Sequence, residues 1–341
     1  MRFESQVRRL LDHRPELVGH VRLWRVLRFP APPAIERDAG LVSRAELAFG
    51  LGLVLFGDLL KRVPEADRYL QRVADAQGEM VFDHGALRTV AWPSGELPPG
   101  EAAFTRFLSA LGYRLGGTYP LPRLKMTGRS YVHEDLPEDL PQYFVSELHP
   151  EAFSPGFQQA VTRVLGSASD PLCPSDTALV ERLRRDKALP LEAARELLEA
   201  LVRCFARQHG DVRLADYETL LAESPEMAWI ATEGNAFNHA TDRVPDVQRL
   251  AEQLRREGYS VKERVELSAS GRVRQTALRA AQVMRSFVHD GQLVARALPG
   301  SFYEFISRDP LFEGEGAPLD LGFDSGNATG IFKMTAAAVA A

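Results

Sequence analysis

Apolar positions recur at helical spacing through the first 75 residues, where Leu10, Leu11, Leu17 and Val18 share a stripe and Leu47 to Leu60 is apolar almost throughout. That run is broken by Asp58 and falls short of the ~20 apolar residues a membrane span needs, so it predicts a buried helix. The period then shortens, and Phe82 to Val90 predicts a strand. WPSGELPPGE follows as a turn-rich stretch, with Pro93, Gly95, Pro98, Pro99 and Gly100. Ala102 to Leu111 predicts an amphipathic helix stopped by Gly112, and strands are expected around 115–119, 125–133 and 142–148. From 150 to about 225 the chain is rich in Leu, Ala, Arg and Glu, which predicts a helical insertion with SASDPLCPSD as a loop. FNHATDRV then predicts a strand, 246–257 a helix, 259–267 a strand, and SFYEFIS at 301–307 a short aromatic strand before the Gly/Asn-rich FDSGNATGIF.

Two stretches of this pattern resemble each other. DHGALRT (Asp83–Thr89) and NHATDRV (Asn238–Val244) both begin Asp/Asn-His and carry an Arg four residues after the His. Each leads to a helix ending in Gly-Tyr and passing into a strand, and QYFVSEL resembles FYEFISR at the far end of each copy. The expected fold class is α+β: two βαβββ modules forming one central sheet or half-barrel, with N-terminal helices and a helical insertion. The implied division is an N-terminal helical region 1–75, a first module 76–150, the insertion 151–230, and a second module with its tail, 231–341.

Composition narrows the function classes. Of 341 residues, 45% are hydrophobic and 26% charged, enough apolar content for a sizeable core. The net charge of -5 gives no reason to expect nucleic acid or an anionic membrane as partner. Two cysteines are too few for a disulfide framework, and the first twenty residues lack the apolar region of a secretion signal, so a cytoplasmic setting is expected. The oligomeric state is not fixed by these features.

Strand alternation turns the repeat into chemistry. Residues two apart share a face, so His84, Ala86 and Arg88 line one face, His239, Thr241 and Arg243 the matching face of the second copy, and Glu304, Ile306 and Arg308 a face of the last strand. If the modules pair about a pseudo-twofold, two imidazoles and a carboxylate meet in one cavity. Two His and one carboxylate on one side of a metal leave positions open for substrate and O2 and suit Fe(II), although the same ligands accept Mn, Co, Ni or Zn. The planar fork of Arg88 matches a substrate carboxylate. Two alternatives stay open here. Arg308 could pair with Glu304, and Glu147, at the end of the equivalent strand of the first copy, could be a ligand, a supporting residue or a surface residue.

HGALRT, FNHATDRV and PGSFYEFISRD resemble the motifs of the 2-oxoadipate dioxygenase/decarboxylase family, also called 2-hydroxyglutarate synthases, over roughly residues 40–335. The resemblance implies a vicinal-oxygen-chelate-like core, metal binding by His84, His239 and Glu304, and substrate binding by Arg88. It further implies Fe(II) as cofactor, 2-oxoadipate (a small 2-oxo dicarboxylic acid) and O2 as substrates, 2-hydroxyglutarate and CO2 as products, and a place in lysine degradation. Arg88 carries the catalytic positioning in this scheme, with Glu147, Arg243 and Arg308 as supporting candidates. Little sequence follows the Glu304 strand compared with longer bacterial members, so Ser325 and Asn327 of FDSGNATGIF are the candidates for the remaining substrate contacts. A metal-dependent lyase or isomerase, with Glu147 as a fourth ligand, is the alternative enzyme. A metal-free protein that sequesters a ligand between the modules is the alternative from outside catalysis.

Overall fold

The computed structural model describes residues 3–14, 21–31 and 40–326. Its centre is a curled eight-stranded sheet built from two copies of one unit. In the first copy β2 (Phe82–Val90) runs into the helix Ala102–Leu108 and then into β3 (Tyr113–Leu121), β4 (Met126–His133) and β5 (Gln142–Leu148). In the second copy β7 (His239–Arg243) runs into the helix Val247–Arg256, then β8 (Glu266–Leu267), β9 (Val273–Ala277) and β12 (Phe302–Arg308). The strand order is β3-β4-β5-β2-β7-β12-β9-β8, which reads the same from either end in terms of module position. Each first strand lies parallel to the last strand of its own module, and β2 and β7 pair antiparallel at the centre. The expected pair of βαβββ modules is therefore the core of the fold.

Three details differ from the sequence expectation. The helix from Ala102 stops at Leu108, because Gly112, at φ +91°, belongs to the turn into β3. The strand expected over 259–267 shrinks to Glu266–Leu267 with one isolated bridge at Val261, so the second module has a weaker edge than the first. A hairpin absent from the expectation, β10 (Gln282–His289) and β11 (Gln292–Pro299), stands outside the main sheet between β9 and β12. Its alternation of polar and apolar residues is interrupted by Arg285 and Arg296, which hides it from a periodicity reading.

The convex face of the sheet is covered by helices. The helix Arg44–Arg62 is buried along nearly its whole length, and its start is fixed by a capping box in which Ser43 and Glu46 satisfy each other's backbone N–H groups. Phe56 of this helix packs on Phe82 and Tyr303, and Tyr69 of the helix Pro64–Asp75 packs on Tyr303 and Phe305. Each fully buried phenyl ring there contributes ~1.5–3 kcal/mol. Gly85 is required at this face: a Cβ would lie 2.3 Å from the Phe237 ring. Helices Pro155–Leu165, Pro174–Asp186, Leu191–Cys204, Leu214–Glu223 and Pro225–Glu233 lie between the modules in sequence, as expected of a helical insertion. The short strands β1 (Leu41–Ser43) and β6 (Ala188–Pro190) tie that insertion to the N-terminal helices. Among the described residues no helix is long and apolar enough to cross a membrane.

Candidate metal centre

The concave face carries the site, and strand register explains its composition. His84 pairs with Thr241 across the central β2–β7 ladder, and Thr241 pairs with Glu304 across β7–β12. His239 pairs with Ala86 and Phe302 one row away. Residues in one row of a sheet lie within side-chain reach, so these registers bring His84, His239 and Glu304 together although they come from three strands. All three are buried. Their Nε2, Nε2 and Oε2 atoms are 3.2 Å (His84 to Glu304), 3.3 Å (His239 to Glu304) and 3.4 Å (His84 to His239) apart.

Those distances suit a bound ion. A triangle with such edges has its centre about 1.9 Å from each corner, close to the ~2.0–2.2 Å bond of a divalent metal to imidazole or carboxylate. The Oε1 atom of Glu304 is buried and has no hydrogen-bond partner, a cost a cation would remove. Among the described residues this trio is the group of His, Cys, Asp or Glu side chains whose ligand atoms converge, all within 4.8 Å. The donor set, two neutral nitrogens and one carboxylate oxygen, fits a divalent transition metal and leaves coordination positions open.

The residues around the trio set its orientation and its charge. Asp83 Oδ1 lies 2.8 Å from His84 Nδ1, which directs the imidazole proton to Nδ1 and frees Nε2. Asp83 owes its position to a bulge: Phe82 pairs with Asp242 and His84 with Thr241, so Asp83 is an extra residue in β2. Arg308 grips the same carboxylate through Nε and Nη2 at 2.9 Å each. Burial opposes the ionised form of Asp83, but Arg308 and His84 outweigh it and hold the carboxyl far below its usual range. Burial likewise opposes charging His84, and the hydrogen bonds to Asp83 and Glu304 outweigh it and raise its pKa. Burial lowers His239 to about 3, against the pull of Glu304. Burial also works against the ionised Glu304, yet His239, His84 and the 2.7 Å hydrogen bond from Thr241 keep its carboxyl below the ordinary value.

A cleft opens beside the trio, lined also by Ala86, Phe144, Ser146, Asn238, Gln275, Phe323 and Asp324. Residues 320–323 cross its mouth as a strap. Arg308 Nη1 donates to the carbonyls of Asp320 and Gly322, Gln142 donates to that of Leu321, and the Tyr119 hydroxyl accepts from Phe323 N–H. The strap sets Phe323 edge-on against His84, with ring centroids 4.8 Å apart.

The other sequence candidates separate. Arg308 pairs with Asp83 rather than Glu304, since the extra residue of the bulge brings Asp83 to it. Arg243 sits 3.7 Å from the same Asp83 and donates to the Glu138 carbonyl. Glu147 is no neighbour of the trio. Its side chain alternates to the opposite face of β5 from Phe144 and Ser146, where it pairs with Arg129 and accepts from Glu101 N–H. This removes the fourth ligand that the lyase or isomerase alternative invokes. The register names the true counterpart of Glu304. His84 pairs with Gln142 as His239 pairs with Phe302, so two residues further on Phe144 stands where the second module has Glu304. Arg88 is buried on the His84 face but does not line the cleft; its guanidinium lies 4.9 Å from the Trp229 ring, and burial lowers its pKa to about 10. Ser325 is exposed at the end of the strap, and Asn327 lies outside the described residues. Asp83, Asn238, Phe144, Gln275, Phe323 and Asp324 also surround the trio without standing among the sequence candidates. The first two carried a signal, since the Asp/Asn before each His was part of the repeat.

Two βαβββ modules sharing a curled sheet, with two imidazoles and a carboxylate on its concave face, define a vicinal-oxygen-chelate-like protein with a site able to hold a metal. The chain belongs to the 2-oxoadipate dioxygenase/decarboxylase family, whose sequence model matches residues 55–319. It is similar to a Ralstonia eutropha protein placed in the glyoxalase superfamily, at 53% identity and a TM-score of 0.88, over 94% of this chain and 98% of that one. The hydroxyglutarate synthase of Oryza sativa, solved with 2-oxoadipate, shares the fold at 20% identity and a TM-score of 0.68, over 91% of this chain and 97% of that one. The Pseudomonas putida hydroxyglutarate synthase, also solved with 2-oxoadipate, does so at 20% identity and a TM-score of 0.59, over 87% and 74%. A comparison with curated proteins gave no match.

Proposed function

We propose that the protein is an Fe(II)-dependent dioxygenase/decarboxylase that converts 2-oxoadipate and O2 to 2-hydroxyglutarate and CO2, in the cytoplasm and in the service of lysine degradation. The observation that carries this reading is the convergence of His84 Nε2, His239 Nε2 and Glu304 Oε2 in a buried cleft. Family membership and the 2-oxoadipate held by two solved proteins of the same fold support the choice of substrate. Iron bound there would supply the Lewis acidity to chelate a 2-oxo acid and the electrons to activate O2. The chain supplies the rest. Glu304 brings one negative charge, while the Asp83 charge is cancelled by Arg308, so a divalent ion keeps net positive charge with which to attract an anionic substrate. Phe144 and Phe323 exclude water from the cleft. Arg88, outside the cleft, adds positive charge close to His239, and that charge favours an anionic substrate at the site. Phe144, in the place of a fourth ligand, keeps coordination positions free for a chelating substrate.

The test is oxygen uptake by Fe(II)-reconstituted protein given 2-oxoadipate, with 2-hydroxyglutarate assayed in parallel. The expected result is one 2-hydroxyglutarate per O2, with both lost in Glu304→Ala. Uptake with other 2-oxo acids alone would change the substrate and keep the reaction class. Iron-bearing protein that consumes no oxygen with any 2-oxo acid would overturn the proposal.

A further inference from the structure

In each module the residue before the histidine meets that histidine's Nδ1. In the first it is the Asp83 carboxylate, 2.8 Å away; in the second it is the Asn238 amide nitrogen, 3.0 Å away. The second contact is chemically incomplete. An imidazole that gives Nε2 to a metal carries its proton on Nδ1 and needs an acceptor there. An amide nitrogen is a donor and cannot serve. At the same time the Asn238 oxygen, Oδ1, is buried with no hydrogen-bond partner. Oxygen and nitrogen of a carboxamide exchange places on a half-turn of the amide. The half-turn sets Oδ1 on the His239 Nδ1–H and puts Nδ2 in the buried position otherwise taken by Oδ1. Asn238 lines the cleft, and among the described residues that line it there is neither Lys nor Arg. The buried Oδ1 position has no hydrogen-bond partner among the described residues, so an N–H turned into it needs an oxygen from a bound molecule.

We propose that Asn238 has two roles: its Oδ1 positions His239 for the metal, and its Nδ2 donates a hydrogen bond to an oxygen of the 2-oxo acid in the cleft. The second role rests on the 2-oxo acid reading above; the first does not. Asp83 cannot act in the same way. An ionised carboxylate only accepts hydrogen bonds, and both of its oxygens are already held by Arg308. The first module thus has an acceptor only, and the second an acceptor and a donor. The Asn of the repeat is in this view a substrate contact, where the matching Asp is not.

The experiment uses the full chain without oxygen, with Co(II) as the metal probe and its visible absorption as the readout. Co(II) affinity is titrated first, then 2-oxoadipate is titrated into the Co(II)-loaded protein. Asn238→Asp keeps the acceptor and removes the donor. It should hold Co(II) within about threefold of the parent, because an outer-shell partner of His239 is retained. It should bind 2-oxoadipate about ten- to a hundredfold more weakly. Asn238→Ala removes both groups, and should lose about ten- to a hundredfold in Co(II) affinity as well. Unchanged 2-oxoadipate affinity in Asn238→Asp overturns the donor role. Unchanged Co(II) affinity in Asn238→Ala, or a Co(II) affinity in Asn238→Asp as low as in the alanine variant, overturns the positioning role. Should the alanine variant not fold, Asn238→Ser, which shortens the side chain and keeps a polar group, takes its place with the same expected Co(II) loss. A parent protein that binds Co(II) but no 2-oxo acid would overturn the functional reading and the donor role with it, while the metal titrations still decide the positioning role.

Discussion

The two modules have the same strand order and place a histidine at the same point, yet they surround it differently. In the first, His84 is backed by an ionised Asp83 that Arg308 neutralises. In the second, His239 is backed by the neutral Asn238 and kept uncharged by burial. Three residues beyond the histidine the first module has Leu87 in the apolar core, whereas the second has the buried carboxylate of Asp242. On the last strands, Phe144 faces the cleft where Glu304 does in the second. Duplication explains why two histidines face each other. The departures from symmetry explain why the site has one carboxylate and open positions rather than a closed shell of four ligands.

The largest effect expected from restoring the symmetry is in Phe144→Glu. A second carboxylate opposite Glu304 would hold metal at least as well as the parent while occupying a position the substrate needs, so oxygen uptake should fall to background with metal content retained. Metal analysis beside the oxygen electrode checks this, and normal turnover in that variant would show that Phe144 does not guard a coordination position.

Asp83→Ala comes next. It leaves the Arg308 guanidinium buried without its carboxylate, at a cost of ~3–5 kcal/mol. Asn238→Ala removes only a neutral contact, with an expected cost of ~1–2 kcal/mol. Urea unfolding of the metal-free proteins measures both, and equal losses would erase the electrostatic distinction drawn between the modules.

A smaller, pH-dependent effect is expected at Asp242. Burial pushes its carboxyl up to about 7, against the hydrogen bonds from the Tyr69 hydroxyl and Val81 N–H. The unfolded chain releases this proton near pH ~4, so between there and about 7 the folded state binds more protons and stability falls as pH rises. Asp242→Asn should flatten that fall, by up to ~1.4 kcal/mol per pH unit within the window. Melting curves at pH 5 and pH 8 read it: the variant gains on the parent at pH 8. A gain confined to pH 5 would reverse the sign and refute the assignment. Least affected is Glu147→Gln, whose metal affinity and turnover should match the parent, since Glu147 serves Arg129 and the start of the helix Ala102–Leu108 on the far side of the sheet.

Much of this site was legible in the chain. The repeated Asp/Asn-His pair with its Arg, the period-two spacing in HGALRT and FNHATDRV, and the carboxylate between aromatics in SFYEFIS pointed to His84, His239 and Glu304. The supporting residues were legible only in part. Glu147 stands near the end of the strand that matches the Glu304 strand, but register puts Phe144, three residues earlier, in the Glu304 place, and an odd shift exchanges the two faces of a strand. Asp83 reaches Arg308 through a bulge, and no periodicity announces an inserted residue.

Spacing along the chain sets the local periods, the duplication and hence the fold class, because each strand and helix reads its own period. The residue types that could ligate a metal are likewise written in the chain. It took the folded chain to show that Arg308 pairs with Asp83, that Phe144 takes the place of a fourth ligand, that the Arg88 guanidinium lies over the Trp229 ring, and that the strap at 320–323 seats Phe323 on His84. Each of these joins segments far apart in the chain. Their partners are chosen by sheet register and by the cost of leaving a buried charge uncompensated, and neither quantity exists until the strands are side by side.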